Sequence, residues 1–136
     1  MGSIRDVMTS NPKTCEASTT VVDAAKVMAQ EDVGPVPIVD GGRLVGIVTD
    51  RDLVVRVLAE GKDPSSTTVG DIASADLTTV TPDSDLQEAL ELMSASQVRR
   101  LPVVENGDLV GIVAQADVAR AADEEQTGEV VQDISR

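Results

Sequence analysis

A threonine and an aspartate three positions apart, Thr49 and Asp52, stand where the apolar run Leu44–Val48 gives way to a helical pattern. A carboxylate at such a place can accept two hydrogen bonds from a sugar diol, each contributing about 1.5–3 kcal/mol when charge-assisted and sheltered. Thr49 is within reach of a sugar or phosphate oxygen, and the N–H groups of the first helical turn favour an anion. The same Thr/Asp spacing also caps a helix with no ligand present, and the two roles are compatible. The second polar constellation is Arg99 and Arg100, directly ahead of Leu101 and Pro102. Guanidinium groups clamp phosphate oxygens in planar forks, and adjacent arginines stand out in a chain of formal charge −13. An exposed pair that balances nearby acids is the plainer reading of the same residues.

Absences narrow the chemistry further. There is no histidine, which removes the commonest general base, metal ligand and pH switch together. The single cysteine, Cys15, cannot form an internal disulfide, and no CxxC motif offers a zinc or redox site. No metal site and no enzymatic activity are expected. Phe, Tyr and Trp are also missing, so a flat ligand would meet aliphatic walls. The opening residues MGSIRDVMTS hold no apolar stretch of the secretory kind, and no run approaches the roughly eighteen apolar residues of a membrane span. A reducing cytoplasm without membrane insertion is the expectation, and the acidity disfavours nucleic acid as a partner.

These residues belong to a chain that repeats itself. Shifted by 65 residues it aligns with itself without a gap, Ile4–Val57 on Val69–Ala122, so that Met28 falls on Met93 and Pro37 on Pro102. The densest match sets Leu44-Val45-Gly46-Ile47-Val48 on Leu109-Val110-Gly111-Ile112-Val113. The organisation read from this is a repeat over 4–60, a Gly/Pro/Ser linker over 61–68, a repeat over 69–122 and a frayed acidic tail over 123–136.

Each copy has the same elements: a short apolar turn, an extended piece near Thr14 or Thr79, a helix, a hairpin and a second helix. Thr20 with Asp23, and Ser84 with Gln87, are the expected helix-start pairs. Asp40-Gly41-Gly42-Arg43 and Glu105-Asn106-Gly107-Asp108 split the hairpins. The closing helices are expected over Asp50–Glu60 and Gln115–Ala122. The fold class is therefore α/β (α+β), two small sheets with packed helices related by a pseudo-twofold axis. Neither sheet buries its apolar face alone, and symmetric packing would leave two equivalent clefts.

The motifs Gly46-Ile47-Val48-Thr49-Asp50-Arg51-Asp52 and Gly111-Ile112-Val113-Ala114-Gln115-Ala116-Asp117, with Val36-Pro37-Ile38-Val39 and Leu101-Pro102-Val103-Val104, resemble the CBS domain, present twice over residues 4–122. The free-standing pair looks like the short stand-alone bacterial and archaeal CBS proteins, some of them linked to stress responses. The resemblance implies a regulatory module that binds an adenosine derivative, AMP, ADP, ATP or S-adenosylmethionine, in the inter-repeat clefts, with no cofactor required. It also implies a homodimer and a protein partner acted on in trans.

The matching principal site is Thr49, Arg51, Asp52, Thr81, Val98 and Arg99. Arg100, Asp117, Val21 and Val33 belong to a secondary one. That second site has Ala114 and Ala116 in place of Thr49 and Arg51, and Glu16 where the first has Thr81. The alternative is a dimeric interaction protein whose clefts bind no nucleotide.

Overall fold

The computed structural model describes residues 2–75 and 77–124. In chain order its elements are α1 (Ile4–Val7), β1 (Thr9–Ser10), β2 (Cys15–Glu16), α2 (Val21–Glu31), β3 (Val36–Asp40), β4 (Arg43–Val48) and α3 (Asp50–Asp52), which runs on as a π-helical stretch (Leu53–Leu58). Then follow α4 (Val69–Ile72), α5 (Leu86–Ser96), β5 (Arg100–Glu105), β6 (Asp108–Ala114) and α6 (residues 115–124). None of the described helices is long and apolar enough to cross a membrane.

Two compact units form, and they are not the two sequence repeats. The first unit gathers Lys13–Leu77 with Gly107–Leu109, and the second gathers the chain up to Pro12, Thr78–Asn106 and the chain from Val110 on. The opening turn of each repeat thus packs in the unit built from the other. In the first unit β2 runs parallel to β3, β3 is antiparallel to β4, and Ser74 bridges the outer edge of β4 at Ile47. The second unit repeats the scheme: Val80 bridges Val103 in parallel, β5 pairs β6, and β1 lies antiparallel to β6.

Local chemistry accounts for most boundaries. Both hairpins turn on two residues of positive φ, Gly41 (61°) with Gly42 (89°) and Asn106 (55°) with Gly107 (87°), the arrangement whose twist matches that of paired strands. Thr20 caps α2 as expected, its side chain accepting from the N–H of Asp23 at 3.3 Å. At α5 the expectation fails: Asp85 is the cap and accepts from the N–H of Glu88 at 2.8 Å. Ser84 is engaged instead by the N–H of Thr81 at 3.0 Å, one residue too early to cap.

The second correction concerns the helix after β4, which is helical as far as Leu58 but widens to π geometry from Leu53. There the N–H of Ala59 reaches back to the carbonyl of Val54 at 2.8 Å. The helix after β6 continues past Ala122 through Asp123 and Glu124, and the rest of the expected tail lies outside the described residues.

The two cores hold equivalent residues. Cys15, Val21, Ala24, Met28, Val36, Ile38, Val48 and Leu53 fill the first, and Val80, Leu86, Ala89, Met93, Leu101, Val103, Val113 and Val118 fill the second, each 65 positions on. The exchange shows in two residues: Val69 completes the first core and Ile4 the second.

Both exchanged segments cross a glycine of the repeated motif. A Cβ on Gly46 would lie 2.8 Å from the Cβ of Ala73 and 3.1 Å from the carbonyl oxygen of Ser74, and one on Gly111 would lie 2.7 Å from Sδ of Met8 and 3.0 Å from the carbonyl oxygen of Thr9. Gly46→Ala is expected to cost about 1–3 kcal/mol through overpacking. By far-ultraviolet circular dichroism the melting midpoint falls by roughly 4–12 °C. Combining it with Ala73→Gly, which removes the opposing methyl, should cost less than the sum of the single changes. Strict additivity would show that this contact does not set the packing.

Candidate functional site

Strand β4 ends at Val48, and Thr49 turns the chain into α3 with a reciprocal cap. The hydroxyl of Thr49 accepts from the N–H of Asp52 at 3.1 Å, while Oδ2 of Asp52 accepts from the N–H of Thr49 at 2.8 Å. The other carboxylate oxygen of Asp52 faces Nε of Arg56 at 3.8 Å, and the Asp52 side chain is 22% exposed. Arg56 in turn donates from Nη1 to the carbonyl of Ile72 at 2.9 Å. Arg56 was not among the residues expected at the site. The available signal was its place four residues after Asp52, the spacing at which acid and base meet on a helix. Arg51 is exposed, and its side chain has no polar partner among the described residues.

Two further residues shape this corner of the first unit. Helix α2 ends on Asp32 in the left-handed region, and the N–H of Val33 folds back to the carbonyl of Met28 at 3.1 Å. That brings Gly34 under the start of α3, where its carbonyl accepts from the N–H of Asp50 at 3.2 Å. A Cβ on Gly34 would lie 3.1 Å from Oδ1 of Asp50, so the Asp50 carboxylate rests beside the glycine.

The second unit builds the same corner on a different set of side chains. Helix α5 ends on Gln97 in the left-handed region, the N–H of Val98 returns to the carbonyl of Met93 at 3.0 Å, and the carbonyl of Arg99 accepts from the N–H of Gln115 at 2.7 Å. Arg99, Arg100, Ala114, Gln115, Ala116 and Ala119 border an open depression of about 480 Å³. Neither arginine side chain has a polar partner among the described residues. Asp117 follows on α6 and pairs with Nη2 of Arg120 at 2.6 Å. With Ala114 in place of a threonine, the reciprocal cap is missing here.

Of the remaining expected residues, Val98 is 39% exposed, and Thr81 is exposed with its hydroxyl 3.2 Å from that of Ser84. Val21 lies within the first core and Val33 packs against it. Thr49, Arg51 and Asp52 thus share a corner of the first unit, and Arg99 with Arg100 share one in the second.

Known proteins match this chain along nearly its whole length. The family model described as CBS domain matches residues 4–59 and again 69–124. The CBS domain-containing protein YhcV of Bacillus subtilis is 39% identical over 136 residues, 99% of this chain and 96% of that protein. Among solved structures, Hypoxic Response Protein I with two coordinated zinc ions is 39% identical with a TM-score of 0.82, covering 89% of this chain and 99% of that one. CBSX2 in complex with AMP is 29% identical with a TM-score of 0.79, covering 93% and 99%. The CBS domain pair of MJ0100, in complex with 5′-methylthioadenosine and S-adenosyl-L-methionine, is 27% identical with a TM-score of 0.77, covering 92% and 98%.

Among the described residues of this chain, no three or more His, Cys, Asp and Glu side chains come together to hold a metal ion. The one thiol, Cys15, is a buried core residue of β2. Burial pushes its pKa above the ordinary thiol value, and the charge of Asp23 adds to the shift. A raised pKa keeps the native thiol neutral while the unfolded chain ionises first. Its share of stability is therefore full below the unfolded thiol pKa and is lost as pH rises towards the folded one. Iodoacetamide at about pH 8.5 should modify the native protein far more slowly than the denatured chain. Equal rates would place the thiol outside the core.

Proposed function

This chain belongs to the CBS-domain family as a tandem pair, and on that footing we propose that it is a regulatory module that binds an adenosine derivative and signals to a protein partner in the cytoplasm. Thr49 and Asp52, with Arg51, are the proposed sugar-binding residues. Thr81 and Val98 provide the base with its wall, and Arg99 contacts phosphate. Arg100, Asp117, Val21 and Val33 are secondary. The reading is supported by the family and by solved relatives holding AMP, methylthioadenosine or S-adenosylmethionine. It assigns the chain sensing and no reaction of its own.

The observation that carries it is the unused hydrogen-bonding capacity of the Thr49–Asp52 cap. A hydroxyl that accepts one bond can still donate another, and an ionised carboxylate offers about four acceptor positions. In the cap the Thr49 hydroxyl accepts from one N–H, and among the described residues Oδ1 of Asp52 faces Arg56 alone, at 3.8 Å. Helix capping and diol binding are therefore simultaneous roles for the same two side chains.

A second feature supports a homodimer. Val54, Val55 and Leu58 of the π-helical stretch are 55%, 48% and 61% exposed. Leu58 also borders an apolar groove of about 410 Å³ with Val22, Ala25, Ala29 and Pro64. A second copy of the chain is the proposed occupant of this face.

A ligand the size of AMP, with about 23 heavy atoms at roughly 0.3 kcal/mol each, implies a dissociation constant on the order of 10 μM. Calorimetric titration with AMP, ADP, ATP and S-adenosylmethionine is expected to find at least one such ligand. Asp52→Asn, whose carbonyl can still accept from the N–H of Thr49, should weaken it about tenfold or more. Asp117→Asn should matter less. No binding at millimolar ligand across the panel would favour an interaction protein with nucleotide-free clefts. Light scattering should return twice the 14.2 kDa chain mass, and Leu58→Asp should lower it. A monomer at micromolar concentration would overturn the dimer.

A further inference from the structure

One side chain joins the Asp52 carboxylate to the turn that completes the first core. Arg56 lies four residues after Asp52, and the helix widens to π geometry just after the acid, as helices often do at functional sites. Nε of Arg56 faces Oδ1 of Asp52 at 3.8 Å, and Nη1 donates to the carbonyl of Ile72 at 2.9 Å. A guanidinium is a rigid plane, so anchoring one edge on Ile72 sets where the other edge meets Asp52. Ile72 is buried and ends α4, the exchanged turn of the first unit. Two residues on, the chain crosses Gly46, where the N–H of Ser74 donates to the carbonyl of Ile47 at 3.0 Å.

The second copy is wired differently. Ala121 stands 65 positions after Arg56, and its methyl group can donate nothing to the turn that crosses Gly111. Asp117, the counterpart of Asp52, pairs with Arg120 instead, three residues on. That pair lies further out, its side chains 46% and 67% exposed against 22% and 50% for Asp52 and Arg56. One carboxylate is thus tied to a buried turn and the other to a side chain at the surface.

We propose that Arg56 is a positioning residue that holds the Asp52 carboxylate for the ligand and transmits its occupancy to α4. A carboxylate oxygen has two acceptor positions, so a ligand hydroxyl and Arg56 can share Oδ1. The coupling is reciprocal: if the anchored arginine improves ligand binding, the ligand stabilises the anchor by the same factor. A ligand donating to Asp52 therefore tightens the crossing at Gly46, and α4 is where the first unit reports that its site is filled. This rests on the sensor reading above and adds its regulation.

The test compares the full chain with Arg56→Met, Asp52→Asn and the double variant, with folding checked by circular dichroism. Each is titrated calorimetrically with AMP, ADP, ATP and S-adenosylmethionine. Amide exchange at Ala73 and Ser74 is then followed by nuclear magnetic resonance, with and without a saturating amount of the tightest binder of the four. Should Arg56→Met fail to fold, Arg56→Lys, which keeps a cation but has no fork, serves the same comparisons.

Arg56→Met is expected to weaken that ligand about fivefold or more, but by less than about twofold in the Asp52→Asn background. Saturating ligand should slow exchange at Ala73 and Ser74 about fivefold or more in the unaltered protein, and the slowing should vanish in Arg56→Met. Met8, which stands 65 residues before Ala73 and whose N–H donates to Ile4 as that of Ala73 donates to Val69, is the internal control. Its exchange should be unchanged by Arg56→Met. An equal affinity loss in both backgrounds would make Arg56 a residue of the fold alone and overturn the inference. So would slowing at Ala73 and Ser74 that survives Arg56→Met, or an equal change at Met8. Each of those outcomes leaves the sensor reading standing. Failure of the unaltered protein to bind any of the four compounds overturns the sensor reading, and this inference with it.

Discussion

The close approach of a chain segment to a glycine at the centre of a hairpin strand is the contact on which each unit depends. Gly46 admits the residues after α4, and Gly111 admits the residues after α1. Each crossing segment brings a fully buried side chain with it, Val69 to the first core and Ile4 to the second. Neither sheet closes its core from its own repeat alone. A methyl group at the glycine would collide with Cβ of Ala73 or Sδ of Met8 and press on the carbonyl oxygen of Ser74 or Thr9 in the exchanged segment, so the motif glycine favours closure.

The absence of aromatic residues fits this construction. Both cores are filled by Val, Ile, Leu, Ala and Met, and equivalent positions carry side chains of similar volume, such as Val36 with Leu101 and Cys15 with Val80. Small branched side chains keep the layers close enough for the crossings at Gly46 and Gly111. The repeat was kept where packing demands it and released where it does not. The corner at the end of the hairpin has no core role beyond Val48 and Val113, and there the first copy carries Gly34, Pro35 and Asp50 where the second carries Arg99, Arg100 and Gln115, both holding the same backbone hydrogen bond.

Among the described residues of this acidic chain, the side chains of Arg51, Arg99 and Arg100 have no acid partner. With a formal charge of −13, the long-range field repels phosphates, and attraction must come from a few guanidinium groups with no closer acid to answer. Arg5, Arg43, Arg56 and Arg120 each pair with a carboxylate, which screens them from that task. At the other corner, Asp52 is held by its cap and by Arg56 in a fixed orientation, which is what a diol-binding carboxylate needs if binding is not to spend energy on ordering it.

The sequence by itself determined the elements whose hydrogen bonds close within a few residues. The Gly-Gly and Asn-Gly turns, the Thr20 cap, the Thr49–Asp52 pair and the 65-residue repeat all follow from neighbours along the chain. Even the cap at α5 was within reach, since the repeat places Asp85 on Thr20 and would have corrected the choice of Ser84. Tertiary structure alone decided which core each opening turn joins, because an offset alignment reads likeness and is blind to where a segment packs. It also decided the π-helical widening at Leu53–Leu58 and the reach of Arg56 to the carbonyl of Ile72. It settled, too, which arginines have no acid partner among the described residues. Each of these depends on surfaces brought together from distant parts of the chain, and local propensity carries no record of them.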